Sequence, residues 1–161
     1  MMLPVSELHD FPGHPFQVRD DEEMEKLAES ITQHGVLMPG LVRPRAAGGY
    51  EIVAGHRRKF ASMKAGVREM PVIVRNMDDD TAVILMVDSN VQRENVLPSE
   101  KARAYKMKLD AMKRQGERTD LTSAGIRQKL SSVQKIADDA GEGKTKIQQY
   151  IKINDLIPEL L

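Results

Sequence analysis

The chain reads as an α+β protein: a small mixed domain in front, followed by an all-helical domain. Three observations predict this. Tyr50-Glu51-Ile52-Val53-Ala54 alternates like a half-buried strand and follows Gly48-Gly49, a hairpin-type connection. From Thr81 onward the apolar residues fall into helical runs rather than strand-like alternation. The charge also divides: 11 Lys/Arg against 16 Asp/Glu from Met1 to Glu100, then 13 against 6 from Lys101 to Lys152. An acidic front and a basic back suggest that a polyanion meets the second half. The boundary is expected after residue 96, giving a front domain over 1–96 and a helical domain over 97–161.

Composition narrows the chemistry. There is no cysteine, which excludes thiol catalysis, a disulfide framework and Cys-ligated zinc. No apolar run approaches the ~20 residues of a membrane helix. The segment Met1-Met2-Leu3-Pro4-Val5-Ser6-Glu7 lacks the regions of a signal peptide. The expectation is a soluble cytoplasmic protein with no membrane partner.

In the front half, Phe11 to Arg19 is proline-rich, extended and loop-like. Asp20 is expected to cap a helix, with Glu23 closing the capping box. Met24, Leu27, Ala28 and Ile31 then form one buried stripe, and Gly35 ends it. Leu41-Val42-Arg43 and Pro71-Val72-Ile73-Val74-Arg75 read as further strands.

The organising stretch is Gly55-His56-Arg57-Arg58, at the turn from the Tyr50–Ala54 strand into a helix. That helix should bury Phe60, Ala61, Met63 and Ala65 and stop at Gly66. Backbone N–H groups are unpaired at a helix start, and paired guanidiniums suit phosphate oxygens. The pattern points to a phosphate-binding corner. Taken alone it reads first as an ordinary surface turn, since arginines oppose the positive end of the helix dipole. It is the company of the other motifs that favours the phosphate corner.

Asp78-Asp79-Asp80 precedes an apolar helix and is read as its cap rather than a metal site. That helix ends in Ser89-Asn90-Val91-Gln92-Arg93, which either converges on a ligand or forms a capping network. Pro98 and Glu100 open the next helix at its N1 and N3 positions. Its buried face carries Ala102, Tyr105, Leu109 and Met112, with Lys101, Arg103 and Lys108 opposite and Gly116 as the stop.

Residues 131–152 carry a helix-turn-helix grammar. Ser131 to Gln134 opens a helix, Ala137 permits a close crossing, Gly141 takes the turn and Ile147 fills the wedge. The second helix would then offer Lys144, Thr145, Lys146, Gln148 and Gln149 to a DNA groove, with Tyr150 and Lys152 near phosphates. A plain helical hairpin with solvated lysines is the alternative.

In this order the pieces resemble the ParB/RepB/Spo-type partition family. The matching residues are 15–19, 34–39, Gly55-His56-Arg57-Arg58, 89–93, 98–102 and the helix-turn-helix. The resemblance implies a ParB/sulfiredoxin-like front domain that binds CTP with Mg²⁺ and hydrolyses it slowly. It also implies a homodimer that clamps double-stranded DNA at a palindromic, centromere-like site on chromosome or plasmid, partnered by a ParA-type ATPase. Gly55, His56, Arg57, Arg58, Ser89, Asn90 and Arg93 become the nucleotide set, with Gln17 linked to hydrolysis and Asn90 to Mg²⁺.

Two departures bear on catalysis: His56 and Ser89 stand where the family often has glutamate. Binding is therefore expected to outlast hydrolysis. The family's C-terminal dimerisation domain is not in the sequence, and the apolar Leu156–Leu161 end suggests a shortened form. Two other readings stay open: a transcriptional regulator without nucleotide gating, and a kinase or nuclease on the same fold. Sulfiredoxin chemistry itself would need a cysteine.

Overall fold

The computed structural model describes residues 1–93, 95–119 and 125–160, and divides into two units, Met1–Met77 and Asp78–Leu161.

The front unit is built on a five-stranded mixed sheet. Its strands are β1 (Met2–Pro4), β2 (Leu8–His9), β3 (Gly40–Pro44), β4 (Tyr50–Ala54) and β5 (Glu69–Val74). They lie in the order β1-β5-β3-β4-β2. The β3–β4 hairpin is antiparallel with Val42 opposite Ile52, while β3 runs parallel to β5 with Gly40 opposite Val72. Gly48 and Gly49 both take positive φ in the turn, where a side chain would be strained. Val5, Leu8, Val42, Ile52, Met70 and Val72 form the sheet's core.

Two helices complete this unit: α1 (Glu22–His34) and α2 (His56–Lys64). Met24, Ala28 and Ile31 of α1 pack with Ala61 of α2, and Leu27 lies at the margin of the cluster. The expected stripe is therefore the packed one. The cap, however, is Asp21 rather than Asp20: Asp21 Oδ1 accepts from the Met24 N–H at 2.9 Å. Asp20 instead pairs with Lys64. Met63, expected inside, is 60% exposed. On a helix this short, only the side carrying Ala61 and Ser62 is turned inward.

The rear unit is helical: α3 (Asp79–Asn90), α4 (Pro98–Thr119), α5 (Gly125–Ala140) and α6 (Lys144–Leu160). Asp78 caps α3, its Oδ1 accepting from the Thr81 N–H at 2.7 Å. Glu100 reaches back to the Leu97 N–H at 3.0 Å, the reciprocal half of a capping box. Three expectations shift. Helix α4 continues through Gly116, because its contacts with α3, including Gln115 Nε2 donating to Thr81 Oγ1 at 3.2 Å, hold that end. Helix α5 begins at Gly125, so Ser131 to Gln134 lies within it rather than at its start, with Ser132 buried.

The third is Lys108, expected on the solvent face of α4. Its side chain is 2% exposed, and its ammonium donates to Asp139 Oδ2 at 3.0 Å and to Asp88 Oδ1. Two carboxylates from neighbouring helices make burial of that charge tolerable. Helix α3, read from the sequence as part of the front domain, groups with α4–α6. By packing, the compact front unit spans Met1–Met77.

Candidate functional site

Gly55 stands between β4 and α2 with φ 113° and ψ 20°, a conformation that side chains rarely adopt. A Cβ there would lie 3.1 Å from the Gly40 Cα, so two backbones meet at this corner. No side chain caps α2 and no acidic residue occupies its first turn. The first N–H groups of the helix therefore project from an electropositive end.

The two arginines leave this corner in different directions. Arg57 lies 3.6 Å from Glu23 on α1. Arg58 folds back over the loop before β3, where its NH1 donates to the Met38 carbonyl at 2.8 Å and to the Pro39 carbonyl. Burial lowers the Arg58 pKa from its ordinary value. These bonds occupy one end of a five-donor fork. Its remaining donors stay within reach of Gly55, where the Arg58 Cζ and NH2 lie 3.5 Å from an added Cβ.

His56 is placed differently from its expected role. Its ring is buried, 7% exposed, and Nε2 accepts from the Phe11 N–H at 3.3 Å. That bond assigns the proton to Nδ1. The His14 ring stacks on it with centroids 3.9 Å apart. Burial and then the neighbouring His14 push the His56 pKa down to about 3, so the ring is neutral at ordinary pH. Any ligand contact of His56 at this corner comes from its backbone N–H, because the side chain is a tie to the Phe11–Arg19 segment. Gln17 lies exposed in that segment, between β2 and α1.

Ser89, Asn90 and Arg93 belong to the rear unit, at the end of α3. Asn90 Nδ2 donates to the Met86 carbonyl at 2.8 Å and to Ser89 Oγ at 3.1 Å. Arg93 donates to Asn90 Oδ1 at 3.1 Å, and Ser89 Oγ donates to the Met86 carbonyl at 2.9 Å. This is the capping-network alternative left open by the sequence. The Asn90 oxygen faces a guanidinium, and the adjacent Asp88 carboxylate is held by Lys108. In this arrangement both oxygens are engaged by cations, so Asn90 would have to leave Arg93 to hold Mg²⁺. Among the described residues no cluster of three His, Asp or Glu side chains is arranged to hold a metal.

In the rear unit, α5 and α6 meet across Gly141-Glu142-Gly143, with Gly141 at φ 67°. Ile136, Ala137 and Ile147 are fully buried, so the small residue, the turn glycine and the wedge stand where expected. Thr145, Lys146, Gln148 and Gln149 are exposed and Lys144 half-buried along α6. Tyr150 departs from its expected position: its ring packs 5.6 Å from Tyr105, while Lys152 is exposed. What sequence reasoning missed was the importance of Lys108, Glu142 and Tyr105, whose partners lie on other helices. No helix among the described residues is long and apolar enough to cross a membrane.

The family model of the ParB N-terminal domain matches residues 1–91. A chromosome-partitioning protein Spo0J of Thermus thermophilus is 32% identical over 159 residues, covering 99% of this chain and 52% of its own length. A probable chromosome 1-partitioning protein ParB of Deinococcus radiodurans is 48% identical over 108 residues, covering 67% of this chain and 37% of its own. The chain thus spans about half or less of these relatives. Among solved structures, a C-terminally truncated ParB of Caulobacter crescentus complexed to the centromeric parS site covers 94% of this chain and 70% of its own, with TM-score 0.63 and 27% identity. The same protein complexed with CTP-γ-S covers 94% and 76%, with TM-score 0.54 and 29% identity. On this fold, this site and these matches, the chain belongs to the ParB family of chromosome-partitioning proteins.

Proposed function

We propose that this chain binds CTP through the Gly55 corner and duplex DNA through α6, and that the nucleotide gates how the DNA is held. The observation that carries the reading is the uncapped start of α2 beside Arg57 and Arg58, at a glycine whose backbone conformation side chains rarely adopt. Exposed Lys146, Thr145, Gln148 and Gln149 on α6 support the second half, since lysine holds phosphate and glutamine reads adenine. The Caulobacter relatives support both ligands.

In this reading the α2 N–H groups and the Arg57 guanidinium cradle phosphate oxygens. Arg58 turns part of its fork to the ligand while keeping the loop before β3 in place. Gln17, in the same unit, is a secondary contact, and no step is assigned to a metal. A duplex-bound homodimer at the nucleoid, served by a ParA-type ATPase, is the expected setting.

The test is calorimetric titration with CTP, beside binding to a parS duplex. Wild type should bind both, Arg57→Ala should lose CTP while retaining DNA, and Arg58→Ala should lose CTP and loosen the 36–39 loop. The Arg58 bonds to Met38 and Pro39 favour a structural role for that residue. DNA binding with no affinity for any nucleotide would therefore establish the ungated regulator instead.

A further inference from the structure

Glu142 occupies the three-residue turn between α5 and α6, and its side chain is 14% exposed. It does more than end a helix. Its Oε1 accepts from Lys101 Nζ on α4 at 3.1 Å and lies 3.8 Å from Lys146 Nζ on α6. The Tyr105 phenol of α4 is pushed up in pKa, first by burial and then by the Glu142 charge beside it. Lys101 also stands 5.8 Å from the centroid of the Tyr150 ring, which packs on Tyr105. One carboxylate thus joins the turn, α4 and the first turn of α6.

Lys146 is 56% exposed, and it is one of the cations offered to DNA in the proposed function, on which this inference rests. We propose that Glu142 is a positioning residue for DNA binding. It restrains the Lys146 ammonium and the start of α6 against α4, so that every encounter with a phosphate must first release that ion pair. Sequence-independent binding draws on the Lys146 ammonium itself, whereas in the site-specific complex base contacts seat α6 and the pair with Glu142 is kept, so the restraint weakens the first more than the second. Glu142 therefore raises the ratio between the two.

The experiment measures affinity for a mixed-sequence duplex and for a parS duplex over a range of salt. In Glu142→Gln the Lys146 ammonium is released. Mixed-sequence binding should strengthen about two- to fivefold, the scale of an exposed ion pair. Its salt slope should steepen by about 0.9, the increment of one added phosphate contact. The ratio of parS to mixed-sequence affinity should fall. Two further variants separate restraint from simple charge repulsion and from misfolding. In a Lys146→Met background, Glu142→Gln should change nothing if the effect passes through Lys146, whereas through-space repulsion would persist. Lys101→Met leaves Glu142 facing Lys146 alone and should weaken mixed-sequence binding.

Parallel losses on both duplexes, an unchanged salt slope, or an effect that survives loss of Lys146 would overturn the inference while leaving DNA binding intact. Wild-type protein that binds neither duplex would overturn the proposed function and this inference with it. If Glu142→Gln does not fold, Lys101→Met still decides the sign.

Discussion

Replacing Gly55 by alanine tests the corner on which the nucleotide reading depends. The cost has two parts. A residue with a Cβ held at φ 113° loses about 1–2 kcal/mol to local sterics. The added methyl then meets the Gly40 Cα at 3.1 Å. Gly40 has little room to withdraw, since its own Cβ direction is closed by the Ala54 carbonyl and Met70 Cε, both at 3.2 Å. Overpacking of this kind costs about 1–3 kcal/mol, so the total is about 2–5 kcal/mol. Gly66→Ala is the matched control: it too has positive φ, at +74°, but nothing lies within 4 Å of an added Cβ. Only the first part of the cost, about 1–2 kcal/mol, applies there. Amide hydrogen exchange of Val42, Ile52, Val53 and Val72 reads the opening free energy of the sheet directly. Gly55→Ala should lower it by about 1–3 kcal/mol more than Gly66→Ala does. Equal effects would refute the close approach of the two backbones, and a Gly55→Ala protein as stable as wild type would refute the strained turn itself.

The pH response of the front unit should carry a His56 signature. Its folded pKa, about 3, lies below the ordinary 6.5. The unfolded state therefore takes up the proton first on acidification. The contribution is complete above pH 6.5 and is lost as pH falls toward 3, with a slope of at most about 1.4 kcal/mol per pH unit. Urea titrations across that window should show a shallower acid limb in His56→Gln; identical limbs would rule the assignment out. Asp21→Ala should destabilise α1 by about 1 kcal/mol, whereas Asp20→Ala, which removes only exposed ion pairing, should cost less than about 0.5 kcal/mol; thermal melts of the pair compare them. Lys108→Met should cost about 1–2 kcal/mol in denaturant titration. This is less than the usual penalty for a broken buried pair, because Asp88 and Asp139 are 41% and 42% exposed and can rehydrate. A loss as large as that of a fully buried pair would show that these carboxylates cannot reach water.

Several elements were legible because their signals are local. The hairpin into Tyr50–Ala54 follows from paired glycines and alternation, and both glycines take the required positive φ. The α1 stripe follows from spacing, and the Asp78 and Glu100 caps from residue type and position. The turn glycine and wedge of the α5–α6 pair follow likewise. Other features were not local. Strands β1 and β2 have three and two residues, too few to display a period, and they exist because β5 and β4 offer them a partner. Asp20 and Asp21 are adjacent and chemically alike, so only the chain's path into α1 chooses the cap.

The candidate site divides in the same way. Residue order alone determined that a glycine, two guanidiniums and a helix start coincide, because strand, turn and helix are consecutive in the chain. It determined the apolar framework of the helix-turn-helix for the same reason. Tertiary structure decided which polar groups remain available at those places. His56 turns inward because Phe11, 45 residues earlier, supplies an N–H to its ring. Arg58 clasps carbonyls 20 and 19 residues away, and Lys108 disappears between Asp88 and Asp139 on neighbouring helices. A charge or hydrogen-bonding group takes its state from whatever surrounds it in space, and spacing along the chain carries no record of those partners.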